Sequence, residues 1–127
     1  MSIVVDASVL IDALLGDTTA EAAVAGHPIH APVTIDAEVL HALRRRWLAG
    51  VLLDKNASDV IALFRHTPIA RHSVQPFIDR IWSLRRNITA YDAGYVALAE
   101  SLNVPLLTRD WRLAHSAGHT ARIEYIA

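Results

Sequence analysis

The chain has 127 residues, 53% of them hydrophobic, a net charge of −1 and no cysteine. These values exclude a disordered chain, a disulfide scaffold, a thiolate zinc site and a cysteine nucleophile, and no global field directs the protein to nucleic acid or membrane. One domain over residues 1–127 is expected, large enough to bury about two thirds of the surface its unfolded chain exposes. The lack of cysteine fits a reducing, cytoplasmic setting. The first residues have no basic segment like that of a signal peptide, and Asp6 and Asp12 interrupt the apolar stretch. No apolar run approaches the ~18 residues of a membrane span.

In chain order, "SIVVDA" reads as a short β-branched strand and "SVLIDALLG" as a helix closed by Gly16. "TTAEAAVAG" is a second helix, ended by Gly26, and "HPIHAPV" is a short extended segment. "IDAEVLHALRRRWLAG" is a long helix closed by Gly50, with Ile35, Val39, Leu43 and Trp47 as its apolar stripe. "NASDVIALFRH" is a helix for which Asn56 or Ser58 is the expected cap. "PIARHSV" is a strand. "QPFIDRIWSLRRN" places Phe77, Ile78, Ile81, Trp82 and Leu84 on one helical face. "TAYDAGYVALAESLN" is a strong helix, "VPLLT" a strand, "DWRLAHSAG" a short helix and "ARIEYI" a last strand. Strands alternating with helices predict an α/β domain with a mainly parallel sheet.

In such sheets ligands bind beyond the carboxyl ends of the strands. Asp6 ends the first strand, and Asp110 follows "VPLLT" by two residues. Each has an ordinary explanation as a helix N-cap, and Thr89 with Asp92 has capping-box spacing. Two observations point further. Asp92, Val96 and Ala99 share one helical face, so Asp92 is expected to point inward, where a carboxylate needs a proton, an arginine or a metal. Asp6 and Asp110 fall at the same end of the sheet, where crowded carboxylates call for a cation. Hard ions such as Mg²⁺ or Mn²⁺ take oxygen ligands and fit such a cluster. A fourth acid is not resolved by pattern. Asp36 and Glu38 lie two apart on one helix and face different ways. Asp36, in the first turn, is accounted for by the helix dipole, which leaves Glu38 unexplained.

The segments "IVVDASVLIDALL", "APVTIDAEVLHALRR" and "ITAYDAGYVALAESLNVPLLTRDWRLA" resemble the three signature segments of the PIN-domain family. The similarity is strongest to the VapC toxins of bacterial VapBC toxin–antitoxin pairs, and it runs from about Ser2 to Ala114. The resemblance implies a three-layer α/β/α fold and a metal-dependent endoribonuclease that leaves 5′-phosphate and 3′-hydroxyl ends. It maps the family's acidic quartet onto Asp6, Glu38, Asp92 and Asp110, choosing Glu38 over Asp36, with Thr108 and Ser8 as auxiliary polar groups. It also implies Mg²⁺ or Mn²⁺, an RNA substrate, a small antitoxin partner and a homodimer. One departure stands out: where some members carry a further acid after the Thr-x-Asp pair, this chain has Trp111 and Arg112.

Arginine supplies 11 of the 12 basic residues. Arg86, just before the Asp92 helix, and Arg112, just after Asp110, are the candidates for RNA phosphate contacts. The Arg44-Arg45-Arg46 run has two readings, a further contact to RNA phosphates or a solvated helix face. His27-x-x-His30 and His115-x₃-His119 have ligand-like spacing, but without cysteine, and with Gly118 inside the second pair, zinc is disfavoured. The three tryptophans read as core or interface residues. A receiver-like or catalytically inactive protein-binding module is the rival. A receiver would need a second acid after the first strand and a lysine near a late strand. Here one acid follows "IVV", and the only lysine is Lys55.

Overall fold

The computed structural model describes residues 1–127. Five short strands form one sheet: β1 (Ile3–Val5), β2 (Ile29–Pro32), β3 (Ala70–His72), β4 (Leu106–Thr108) and β5 (Ile123–Tyr125). Seven helices connect and flank them: α1 (Ala7–Leu14), α2 (Thr18–Val24), α3 (Ile35–Leu48), α4 (Asp54–His66), α5 (Ile78–Ser83), α6 (Ala90–Leu102) and α7 (Trp111–Ala114). The strand order is β3-β2-β1-β4-β5 and every pairing is parallel. The three-layer α/β/α arrangement expected from the sequence is therefore the one observed.

A parallel sheet covered on both faces needs strands that are apolar on both sides. Ile3, Val4 and Val5 are accordingly all buried, as are Leu106, Leu107 and Thr108. α6 packs against β1, β2 and β4, with α5 beside it, while α1 packs against β4 and gathers α2, α3 and α4. Seven consecutive residues of α6, Ala93 to Ala99, are buried. That helix is enclosed on all sides, which explains its continuous apolar sequence. It ends at Asn103, whose left-handed backbone (φ 53°) offers the last carbonyls a donor. Gly50, at φ 76°, ends α3 in the same manner.

Two expectations change. α4 begins at Asp54 rather than beyond Asn56, and Leu53 at its N-cap gives no side-chain bond. Asn56 and Ser58 thus lie inside the helix, and Asp54 instead accepts the Trp47 indole N–H at 2.6 Å. The helix expected over "QPFIDRIWSLRRN" is a 3-10 turn over Gln75–Phe77 followed by the short α5. Its face is divided: Leu84 is buried, Phe77 and Ile81 are half-buried, and Ile78 and Trp82 are exposed. None of the tryptophans is in the core; Trp47, Trp82 and Trp111 are 49%, 67% and 61% exposed.

Candidate active site

Topology brings the acids together. β1 and β4 are neighbours, and the chain leaves β1 toward β2 on one side but reaches β4 on the other. That is the switch point at which open α/β sheets form a crevice. Asp6 follows β1 directly, and Asp110 follows β4 by two residues. α3 leaves the same edge from β2 and carries Glu38 in its first turn; α6 carries Asp92 in its first turn. Each acid sits at a helix start, where the backbone N–H groups favour negative charge.

Asp6 is 5% exposed and does two jobs. It caps α1, accepting the Val9 N–H at 3.2 Å, as the capping reading requires. It is also the hub of a hydroxyl network. Ser8 Oγ donates to its Oδ1 at 2.6 Å, and Thr108 Oγ1 donates to its Oδ2. Each hydroxyl in turn accepts a backbone N–H from the turn after β4: Arg109 N–H to Ser8 at 2.9 Å and Asp110 N–H to Thr108 at 3.0 Å. The turn carrying Asp110 is thereby fastened to Asp6. Asp110 is exposed and caps α7 through the Arg112 N–H at 2.9 Å.

Glu38 is half-buried and accepts a hydrogen bond at Oε2 from the Tyr95 hydroxyl. Tyr95 is a site residue that sequence reading missed. It sits three residues after Asp92 on the inward side of α6, but inside "GYVALA" it looks like one more core residue. The only signal was that spacing. Asp36 lies outside the site: Arg71 grips its carboxylate in a two-pronged bond at 2.7–3.0 Å.

Three of the four carboxyls lie above the usual carboxylate range. Burial pushes Asp92 up to about 6, with the charges of Asp110 and Asp6 adding to the shift. Burial also raises Glu38; the Tyr95 hydrogen bond opposes this, while Asp92 and Asp6 reinforce it. Asp6 is raised by burial against the pull of its hydroxyl and backbone donors. No arginine, lysine or histidine forms an ion pair with any of the four. As placed, no three of the carboxylates close on a single point within coordinating distance. The donor set is oxygen alone, mutually repelling and uncompensated by the chain, which fits a hard divalent cation.

Two clefts flank the acids. One, of about 470 Å³, is lined by Arg85, Arg86, Thr89, Asp92, Asp110 and Arg112, so both candidate RNA contacts face it together with two of the acids. The other, of about 600 Å³, is lined by Thr34, Ala37, Glu38, His41 and Tyr91. The Arg44-Arg45-Arg46 run lines neither; Arg46 turns toward Asp12 at 3.8 Å. The histidine pairs noted in the sequence do not meet. His27 bonds the Met1 carbonyl, His30 bonds His72 across β2 and β3 at 2.9 Å, His115 stacks on Trp111, and His119 bonds Ser116.

Comparison with known proteins agrees with this fold. A family model described as PIN domain matches residues 3–118. The chain is 43% identical over 129 aligned positions to a Mycobacterium tuberculosis protein named Ribonuclease VapC12, covering 98% of this chain and 99% of the relative. Among solved structures, PAE2754 from Pyrobaculum aerophilum superposes with a TM-score of 0.72 at 21% identity, covering 97% of this chain and 83% of that one. A chain of a toxin–antitoxin complex from Klebsiella pneumoniae superposes at 0.66 with 19% identity, covering 90% and 91%.

Proposed function

The chain belongs to the PIN-domain family, among its VapC ribonucleases, and from that premise we propose that it is the toxin of a toxin–antitoxin pair, a metal-dependent endoribonuclease. The observation that carries the reading is the quartet Asp6, Glu38, Asp92 and Asp110 gathered at the switch point of the sheet without a cation of the chain's own. In this reading Asp6 and Asp92 hold a first divalent cation, Mg²⁺ or Mn²⁺, and Glu38 and Asp110 face a second ion or the attacking water. Such a cation, when bound, polarises a phosphodiester oxygen, makes a nearby water more acidic and offsets charge on the leaving oxygen.

The chain's residues do the rest. Ser8 and Thr108 hold Asp6 and, through their backbone donors, the turn bearing Asp110. Arg86 and Arg112 seat phosphates flanking the scissile bond; both side chains are free of ion pairs. In-line attack of water on phosphorus with departure of the 3′ oxygen leaves 5′-phosphate and 3′-hydroxyl ends. Residues 1–127 act as one PIN domain. The partners are an RNA substrate, a small cognate antitoxin and a second copy of the chain. Ile78, Trp82 and Tyr91 are exposed around an apolar depression of about 490 Å³ beside α6, a surface suited to a partner chain. No helix is long and apolar enough to cross a membrane. We place the protein in the cytoplasm, where its RNA substrate is.

The test is direct. Purified protein is incubated with total RNA, with and without Mg²⁺, and the new ends are sequenced. Metal-dependent 5′-phosphate ends made by the wild type and not by Asp6→Ala support the reading; metal-independent cleavage, or equal cleavage by both, overturns it. In cells, the wild type expressed alone slows growth, Asp6→Ala does not, and the antitoxin restores growth. Equal toxicity of both proteins at equal soluble levels breaks the link between toxicity and cleavage.

A further inference from the structure

Two carboxylates of the quartet are held in a common way. Asp6 takes its side-chain hydrogen bonds from Ser8 and Thr108, and Glu38 takes its own from Tyr95. All three donors are neutral hydroxyls. A guanidinium would fix a carboxylate at least as firmly, but it would also cancel the charge that a divalent cation needs. Elsewhere in the molecule arginine is used freely for this purpose, on Asp12, Asp17, Asp36 and Glu100. Hydroxyls at the quartet orient without neutralising.

Tyr95 is 1% exposed, and a buried tyrosine hydroxyl needs a partner. Its partner is on another element: α6 donates, and Glu38 of α3 accepts. The bond occupies Oε2 and ties together the two helices that carry Glu38 and Asp92. Oε1 of Glu38 accepts no hydrogen bond from the chain. Ser8 and Thr108 belong to the segments that carry Asp6 and Asp110. Tyr95 is the one hydroxyl that serves Glu38, and no motif of the sequence assigns it a role.

We propose that Tyr95 is a positioning residue of the ribonuclease: its hydroxyl fixes one oxygen of Glu38 and leaves the other presented to a divalent cation. This rests on the reading of Glu38 as a metal-site acid. Tyr95 touches neither RNA nor the reacting atoms in this account; it acts through Glu38 alone. Its removal therefore weakens metal binding and turnover but leaves the RNA concentration needed for half-maximal rate unchanged.

The experiment is a cycle of Tyr95→Phe, Glu38→Gln and the double variant, each titrated with manganese chloride. Two readouts are taken: the rise in melting temperature of the protein without RNA, and kcat and KM on one RNA. Tyr95→Phe in the wild-type background is expected to weaken Mn²⁺ by about tenfold, the scale of losing a group that orients a metal ligand. It lowers kcat at fixed Mn²⁺ and leaves KM for RNA within twofold. In the Glu38→Gln background the same change is expected to have less than a twofold effect. Equal effects in both backgrounds, or none in the wild type, overturn the proposal, because packing alone would not depend on Glu38. If Glu38→Gln itself binds Mn²⁺ normally, the assignment of Glu38 fails instead, and the two failures are told apart. A second measurement needs no altered tyrosine. The chain has three tyrosines, and their ¹³Cζ resonances are followed as Mg²⁺ is added. The Tyr95 resonance is expected to move in the wild type and stay in Glu38→Gln; a stationary Tyr95 signal in a wild type that binds Mg²⁺ also overturns the proposal.

Discussion

The acids of this protein are treated in two opposite ways. On the outside, Asp12 and Asp17 share Arg109 at 2.8 and 3.1 Å, Asp36 is gripped by Arg71 at 2.7 Å, and Glu100 by Arg80 at 2.8 Å. At the switch point, Asp6, Glu38, Asp92 and Asp110 have no such partner, although Arg86 and Arg112 line the same cleft as two of them. The first group uses charge to join elements: Arg109 ties α1 and the start of α2 to the chain end, and Glu100 of α6 accepts from both Arg80 of α5 and Thr120. The second group keeps its charge unspent: burial raises Asp6, Glu38 and Asp92, and neighbouring carboxylates add to the rise at Glu38 and Asp92. In the proposed reading, stability and chemistry thus make opposite demands on one residue type, and the presence or absence of arginine separates them.

The largest effect should come from breaking the unpaired group. Asp6→Ala is expected to lower cleavage of a defined RNA at saturating Mg²⁺ by at least about 100-fold, more than disturbing a residue that only orients a ligand. A loss under tenfold, measured by gel on folded protein, would place Asp6 with the structural acids.

Next is the response to metal. A cation that binds only the folded chain stabilises it by about 2.7 kcal/mol at a hundredfold excess over its dissociation constant. Asp92→Asn should abolish that gain and raise the melting temperature of the metal-free protein. The pH dependence has a definite sign. Asp92 rises from 3.8 to about 6 on folding, so its protonated form favours the native state. Without metal, this contribution is present below about pH 4 and is lost as pH rises through about 6. Calorimetry with and without Mn²⁺ checks both, because Mn²⁺ should reverse the slope across that window.

The paired acids should answer in stability and not in rate. Glu100→Gln is expected to destabilise by about 1.5 kcal/mol, the low end for a hydrogen bond to a charged group because Arg80 is partly exposed, with cleavage within twofold. The Arg80 guanidinium, aided by Thr120, holds Glu100 at about 2 against 4.5. Its contribution is therefore present above about pH 4.5 and lost as pH falls toward 2, opposite in sign to that of Asp92.

The smallest effect is at Asp36, two residues from Glu38. Asp36→Asn removes one exposed ion pair and should cost about 0.2–1 kcal/mol, with cleavage within threefold. Glu38→Gln under the same conditions should lose about 10–100-fold. If Asp36→Asn is the inactive protein and Glu38→Gln cleaves normally, the division between paired and unpaired acids fails at its narrowest point.

Local pattern in this chain marks some features and not others. The strands were legible because a doubly covered parallel strand must be apolar throughout, and "IVV" and "PLLT" are. Asp6 and Asp110 were legible because they follow such strands, and Asp92 because it shares a face with Val96 and Ala99. The division of the Phe77 to Leu84 face was not legible, since periodicity assumes one unbroken helix and a 3-10 turn shifts the register. Asn56 and Ser58 are not caps, because α4 starts earlier, at Asp54, whose carboxylate accepts from Trp47. Periodicity did not rank Asp36 against Glu38, because two residues on one helix differ only in what the rest of the fold brings to each.

By itself, then, the sequence determined the α/β alternation, the parallel sheet and three acids at one edge, since these follow from local pattern: burial on both strand faces, and helix starts after strand ends. The family resemblance supplied Glu38. Only the tertiary structure decided which acids are neutralised and by what. Arg71 reaches Asp36 across 35 positions of the chain, Tyr95 reaches Glu38 across 57 and Thr108 reaches Asp6 across 102. A carboxylate's role is set by the donors that folding brings to it, and beyond the local Ser8 and Val9 donors of Asp6 these come from distant parts of the chain.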